Sequence, residues 1–481
     1  MHRITVLLLA ACGLAMAADP VVDWRTQVKT KQVQQLEMAV AECAFTAQPF
    51  PAIATIAAQQ PDDVPLYGCY SWGGEYRQFR KQIKEVGWTT YRLGGFIDEE
   101  AIRMAMEDGI EIMHTLQIGE TLADLKGPGK RDAFPSDEAF MAAYLGVLDR
   151  FCRRYGPGGS LFTEHPELAK NPVRYIEIWN EPNFKYMIGD QPDAKKVQGE
   201  RDVLYAKLLR RAYAAVKKDH PQISIVGFAA GGSAFDDKRF IGNVHAIDPG
   251  ISGCYDILST HPYTHTPPMA DRVRGWGSYS VTTGWKAIQD ILAASNAAGK
   301  PIWYTEVGWP ISSNDGGSFP HVRKIEIQFP AMQQAACVVK MYILASRLGV
   351  RRVHVMSTCD ADGFNSGFFK RNDGEWRPVA HAVQQLIRVM PKPRILAAPS
   401  EVAGGLYAYR YQSDWTKPDA PEVIVAWHEQ HPGELSIPIP VGTKIARIQN
   451  MFGGEVTFSA TTTVVTFTGG PLPSYVILSP K

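Results

Sequence analysis

The feature that most constrains what this chain can fold into is a repeated alternation. Between Leu66 and Met390, short apolar runs rich in β-branched and aromatic residues alternate eight times with segments of helical period. The runs cover 66–70, 88–93, 110–117, 173–179, 223–228, 255–259, 302–305 and 353–357. Helices are predicted over 76–86, 99–107, 137–155, 201–218, 285–298, 331–348 and 376–390. In the third of these, Phe140, Tyr144, Leu148, Phe151 and Tyr155 line one face, Ser136 stands where an N-cap belongs and Gly156 ends the run. Gly87, Gly109, Gly299 and Gly349 fall at helix-to-strand joints, where a tight left-handed turn is wanted. Eight strands alternating with helices predict an α/β fold, a (β/α)8 barrel over 65–391. A doubly wound open sheet is the alternative, but no G-x-G-x-x-G follows the first strand.

Pro391-Lys392-Pro393 breaks the last helix, and the pattern then changes. Short strands are predicted at 406–411, 423–427, 435–437, 444–448, 464–468 and 475–478, with Gly, Pro and Asp turns between them. They predict a small C-terminal antiparallel β-sandwich over 395–481, packed on the barrel as an accessory. Sugar binding is a second role considered for it. At the other end, residues 18–64 read as a lead-in, with one helix at 33–45 and an irregular stretch marked by Pro49, Pro51 and Pro61. Residues 1–17 read as an export signal: Arg3 is followed by an apolar core, Ile4 to Ala11, too short to span a membrane, and by the small-x-small site Ala15-Met16-Ala17. Leu9-Ala10-Ala11-Cys12 offers a competing lipobox reading, which would leave a lipid anchor at Cys12. Either reading predicts a periplasmic, secreted or surface-anchored protein. No other membrane span is predicted.

Lys+Arg 50 against Asp+Glu 49 gives a formal charge of +1, so no basic field gathers nucleic acid or an anionic membrane. A neutral substrate is the default. Cys43, Cys69, Cys152, Cys254, Cys337 and Cys359 show no C-x-x-C spacing, which argues against a zinc knuckle or redox pair. Most of them read as small buried hydrophobes, and the sequence assigns no disulfide pairing.

In a (β/α)8 barrel, functional residues collect where strands end. Strand four stops at Asn180-Glu181-Pro182-Asn183. An acid at the exposed end of a buried strand has a fixed position and partial desolvation, conditions that suit proton donation. Taken alone, the tetrapeptide reads as a polar turn. Strand seven also ends in a carboxylate, Glu306, within Tyr304-Thr-Glu-Val-Gly-Trp309. His261-Pro262-Tyr263 follows strand six, and Arg92 lies near the end of strand two. Two carboxylates on facing strands, with Arg, His and Tyr between them, are not core filling, because unpaired buried acids are costly. Trp309 and Trp276, in loops after strands seven and six, are candidates for stacking on a sugar, and His114 ends strand three. Asp360-Ala-Asp-Gly363 lacks the remaining ligands of a calcium loop and reads as a polar turn. Strand one carries no His-x-His pair, so a metal-dependent barrel hydrolase is set aside, and neither metal nor cofactor is expected.

Trp-Asn-Glu-Pro at strand four and Tyr-Thr-Glu-Val-Gly-Trp at strand seven resemble the paired signatures of clan A glycoside hydrolases, retaining (β/α)8 enzymes. With the following sandwich, the chain is most similar to glycoside hydrolase family 39; families 5, 30, 51 and 79 remain open. The resemblance implies that Glu181 is the acid/base and Glu306 the nucleophile. It implies that Asn180 binds the sugar 2-hydroxyl, that Tyr263 and Arg92 attend Glu306, and that His261 orients the acid or contacts the sugar. Physical reasoning supports that division: a nucleophile needs cationic and donor neighbours, and an acid needs apolar ones such as Trp179. Retention further requires the carboxyls about 5–5.5 Å apart. The sequence departs from the pattern at strand eight, where Met356-Ser-Thr-Cys-Asp360 replaces the usual tryptophan and leaves the favoured sugar open. The expectation is an exported retaining glycosidase acting on a β-linked oligo- or polysaccharide. The alternative is a catalytically silent carbohydrate-binding barrel, in which one of the two glutamates would tend to be lost.

Overall fold

The computed structural model describes residues 50, 52–59, 66–94, 97–117, 131–188, 194–231, 236–264, 267–268, 272–274, 277–313, 316–318, 329–361, 364–401, 405–429 and 432–479. The stretch read as an export signal, with Cys12, the predicted helix at 33–45, Cys43 and Trp276 lie outside the described residues.

Eight parallel strands close into a barrel: β1 (Tyr67–Trp72), β2 (Thr90–Gly94), β3 (Glu111–Leu116), β4 (Tyr175–Ile178), β5 (Ser224–Ala230), β6 (Ile257–Thr260), β7 (Ile302–Val307) and β8 (Arg352–Met356). Each strand pairs with the next in sequence, and β8 returns to β1. The helices around it are α1 (Ile53–Gln59), α2 (Gly73–Val86), α3 (Glu99–Glu107), α4 (Asp137–Tyr155), α5 (Ala194–Asp219), α6 (Asp236–Ile247), α7 (Val281–Ala294), α8 (Ala331–Arg347) and α9 (Pro378–Val389). α4 matches its predicted bounds, with Ser136 accepting from the Ala139 N–H and all five predicted face residues buried. The four joint glycines have φ of 94° (Gly87), 72° (Gly109), 83° (Gly299) and 78° (Gly349), a region L side chains disfavour.

Several differences from the sequence reading concern helices, among them an α5 that starts seven residues before its predicted 201. α1 occupies part of the lead-in taken as irregular, and its Ile56 is buried. α6 was not anticipated, because Phe240, Ile241 and Val244 give it only a short apolar stripe. α7 starts four residues early, set by a capping box between Ser280 and Thr283.

Met113, Val226, Ile257 and Trp303 cluster apart from the main core, on alternate strand positions that face the barrel interior. Arg352, fully buried, stacks 4.0 Å over Trp303 and 5.0 Å over Tyr175 and pairs with Glu111. This plug closes the barrel toward the strand N-termini. The polar side chains of the interior then fall at the opposite mouth.

The C-terminal strands are β9 (Arg394–Glu401), β10 (Leu406–Gln412), β11 (Glu422–His428), β12 (Gly433–Pro438), β13 (Ile445–Asn450), β14 (Phe458–Ala460), β15 (Val464–Gly469) and β16 (Ser474–Leu478). β9 and β14 were not anticipated; the Ala-Ala-Pro of one and the shortness of the other give weak strand signals. A five-stranded sheet, β9-β10-β11-β16-β13, faces a three-stranded one, β12-β15-β14. Ala408, Ile424, Ala426 and Val476 of the first pack on Leu435, Ile437, Val465 and Phe467 of the second. The other face of the larger sheet, with Tyr407, Tyr409, Tyr411, Val425 and Trp427, joins the core of the barrel. α8 lies in that shared core and is buried at every residue from Met332 to Arg347. Its Lys340 pairs with Glu429 at 2.8 Å, and Glu429 also accepts from Trp427 Nε1 at 2.7 Å.

The five described cysteines are free and buried. Burial pushes the Cys69 thiol up to about 12, as expected of a packing residue. No helix among the described residues is long and apolar enough to cross a membrane.

Candidate active site

The site begins with a sharp turn. After β4 the backbone enters the left-handed region at Trp179 (φ 68°) and again at Glu181 (φ 46°). A non-glycine residue held there costs on the order of 1–2 kcal/mol, so surrounding bonds must hold the turn. The Glu181 N–H donates to the Ala229 carbonyl at 3.0 Å, and the Phe184 N–H to the Glu181 carbonyl at 3.0 Å. Ala229 belongs to an irregular end of β5, where the register with β6 shifts and Phe228 and Ala229 have φ of 84° and 40°. That end is itself pinned. Tyr205 OH accepts from the Phe228 N–H, and Ser259 Oγ accepts from the Ala229 N–H and donates to the Gly227 carbonyl. The Asn183 side chain then clasps Gly231, accepting from its N–H at 2.9 Å and donating to its carbonyl at 2.6 Å. A Cβ on residue 231 would lie 2.0 Å from Glu181 Oε1, so glycine is what lets the carboxyl occupy its place.

Arg92, fully buried, organises the opposite side. It donates through Nη1 to Glu306 Oε2 at 2.9 Å and through Nη2 to Asn180 Oδ1 at 2.7 Å. It also donates to Glu177 Oε2 from Nε at 2.8 Å and Nη2 at 2.6 Å. The Tyr70 ring lies beneath its guanidinium at 4.4 Å. Burial works against the charge on Arg92, but Glu177, Tyr70 and Glu306 outweigh it and hold the pKa above its ordinary value. Tyr263 OH donates to Glu306 Oε1 at 2.8 Å. Burial first, and the Glu306 charge second, push the Tyr263 phenol well above its ordinary range, so it stays a donor. Both oxygens of Glu306 therefore accept a hydrogen bond.

Glu181 has a different neighbour. His261 Nδ1 lies 3.1 Å from Glu181 Oε1 and 3.9 Å from Glu306 Oε2. Burial lowers the His261 pKa to about 4, so the imidazole is neutral at pH 7. An oxygen of Glu181, one of Glu306 and a nitrogen of His261 all lie within 4.8 Å of one another. That trio is close enough to share a cation, but the Arg92 guanidinium already sits on Glu306 and would repel one. A neutral imidazole thus stands beside one carboxyl and a guanidinium beside the other.

Arg92, Asn180, Glu181, His261, Tyr263 and Glu306 are thus brought together. Other sequence-predicted positions are not. His114 packs against Phe151 of α4 at 4.6 Å, on the helix side of the sheet. Trp309 is 1% exposed in the core, offering no open face for stacking. Trp179 packs on Phe140 and Tyr144 of α4, so it is not the apolar neighbour of Glu181. Asp360, read as a polar turn, is fully buried, pairs with Arg377 and accepts from the Ser318 and Gly367 N–H groups. Met356, the last residue of β8, has its sulfur 3.3 Å from Tyr263 OH, with Phe364 edge-on to the Tyr263 ring. Glu177, Asn183 and Gly231 went unremarked as site residues. The signal for Glu177 was present: a carboxylate in the apolar run Tyr-Ile-Glu-Ile demands a buried partner.

No family model matches this sequence, and no curated protein matches it. Solved structures do resemble it. A family 39 glycoside hydrolase from Bacteroides cellulosilyticus shares 18% identity at a TM-score of 0.62, over 90% of this chain and 83% of that one. A family 51 α-L-arabinofuranosidase from Bifidobacterium longum shares 13% identity at a TM-score of 0.58, over 87% of this chain and 97% of that one. A monomeric β-xylosidase from Caulobacter crescentus shares 15% identity at a TM-score of 0.53, over 91% and 99%. At these identities the likeness is one of fold: this chain has the barrel-and-sandwich architecture of those proteins.

Proposed function

We propose that this protein is a retaining glycoside hydrolase. The observation that carries the proposal is the pair Glu181 and Glu306, with oxygens within 4.8 Å and unlike partners. That closeness falls on the short side, near the separation of about 5–5.5 Å used in double displacement and well inside the roughly 6.5–9.5 Å of inverting pairs. The fold shared with structures described as glycoside hydrolases of families 39 and 51 supports the same reading.

In the first step a Glu306 oxygen attacks the anomeric carbon while Glu181 gives its proton to the departing glycosidic oxygen. The C–O bond breaks, and a glycosyl ester forms on Glu306. Arg92 and Tyr263 take up the changing charge at Glu306, and Asn180 is placed to bind the sugar hydroxyl next to the reacting carbon. In the second step Glu181 removes a proton from water, which attacks the same carbon and frees Glu306. Neutral His261 can accept from protonated Glu181, or donate to its carboxylate after changing tautomer. The proposed substrate is a β-linked oligo- or polysaccharide. Export is part of the proposal, resting on the basic start and apolar run of residues 3–11.

The test is chemical rescue. A panel of β-linked aryl glycosides and oligosaccharides first identifies a substrate. Glu306→Gly should abolish turnover, and azide should restore it with a glycosyl azide of inverted configuration. Wild-type rates in Glu306→Gly without azide would remove the nucleophile assignment.

A further inference from the structure

Glu177 makes no bond in the chemistry proposed above, yet it is 0% exposed at the barrel mouth. Its position on β4 is four residues before Glu181. Buried ion pairs are weak contributors to stability, since apolar replacements of similar volume are often as stable. Stability is therefore a weak explanation for its place beside Arg92. Its Oε2 accepts from Arg92 Nε and Nη2, at 2.8 and 2.6 Å, and from Thr115 Oγ1, at 2.7 Å. With that edge of the fork occupied, Arg92 offers Nη1 to Glu306 and Nη2 to Asn180, one N–H each. Arg92 and Glu177 together are formally neutral, so Arg92 presents Glu306 with one directed donor rather than an unopposed cation. An Arg92 free to chelate Glu306 two-handed would stabilise the carboxylate that has to react. Only interactions that strengthen in the transition state accelerate the step.

We propose that Glu177 is a positioning residue, the counter-charge that sets the plane of Arg92 and keeps Glu306 from being locked in a closed ion pair. The inference rests on the roles proposed for Glu181 and Glu306. The groups that face Glu177 are Arg92 from β2, Thr115 from β3, His261 after β6 and Thr305 on β7. Tyr144 of α4 and Tyr205 of α5 lie near as neutral phenols. Burial, the largest single influence, pushes the Glu177 carboxyl up, but Arg92, His261, Thr305 and Thr115 together outweigh it and hold the net value below the ordinary range, so the charge is present wherever the site works.

The experiment is the pH dependence of kcat/KM in Glu177→Gln and Glu177→Asp, with circular dichroism to establish folding. Removing a negative charge makes the remaining carboxyls easier to ionise. Both limbs of the profile should therefore move to lower pH in Glu177→Gln, by roughly one unit for one nearby charge. Glu177→Asp keeps the charge while turning the fork, so its limbs should stay and its kcat should fall. This second variant decides the matter if Glu177→Gln does not fold. Unmoved limbs in folded Glu177→Gln, or limbs displaced to lower pH in Glu177→Asp, overturn the role of Glu177 while leaving the glycosidase reading intact. A wild-type protein that cleaves no glycoside overturns that reading, and the inference with it.

Discussion

At the scale of single residues, burial decides which histidines carry charge. His261 and His114 are both fully buried, and burial lowers their pKa values to about 4 and about 3. In the unfolded chain an ordinary value near 6.5 returns. Below that pH the unfolded state binds more protons than the folded one, so stability rises with pH through the window from about 4 to about 6.5. It is fully present above 6.5 and lost as the pH falls. Each such group contributes at most about 1.4 kcal/mol per pH unit across the window. His114 packs on Phe151 and makes no bond to the candidate site, which separates the two effects. The melting temperature of His114→Phe should fall less steeply than that of the wild type between pH 6.5 and 4. The neutral-pH rate should change little. Parallel melting curves would show that His114 is protonated in the folded state.

At the scale of elements, the end of β4 and the irregular end of β5 form one device. Asn183 holds Gly231, and Gly231 leaves the space that Glu181 fills. Gly231→Ala places a methyl where the Glu181 carboxyl now lies. It should lower kcat by at least about tenfold, the equivalent of a displacement costing some 1.4 kcal/mol in the transition state. Its melting temperature should stay close to that of the wild type, since only a partly exposed side chain has to move. An unchanged kcat would mean that Glu181 works elsewhere. This device also marks where sequence reading stops. The barrel strands, the joint glycines and the two carboxyls with the four residues around them were legible because period, turn chemistry and strand ends are local signals. The Asn183–Gly231 clasp was not, because it joins residues 48 apart through a backbone whose left-handed turns, at Trp179, Glu181, Phe228 and Ala229, carry side chains rather than glycine. His114 and Trp179 were misplaced for a related reason. A strand end says that a side chain is near the mouth, but a one-residue change of phase turns it from the interior to the helices.

At the scale of the whole molecule, the barrel and the sandwich share α8. The Lys340–Glu429 pair lies in that shared core, with both side chains under 5% exposed. Lys340→Met leaves Glu429 charged and buried without its partner, a loss of about 3–5 kcal/mol. The double variant Lys340→Met, Glu429→Gln removes both charges and should recover much of that loss in denaturant unfolding. A double variant no more stable than the single one would contradict this. Tyr407, Tyr409 and Trp427 meet the barrel at the same face. Heat should therefore unfold barrel and sandwich in one transition, although their strand patterns change abruptly at Pro391. α8 has no side turned to water, so its sequence answers to two neighbours at once. The smallest piece of this chain that could be transplanted into another, by recombination or by hand, is thus the barrel together with its sandwich, and the change of pattern at Pro391 marks no seam along which the protein could be divided.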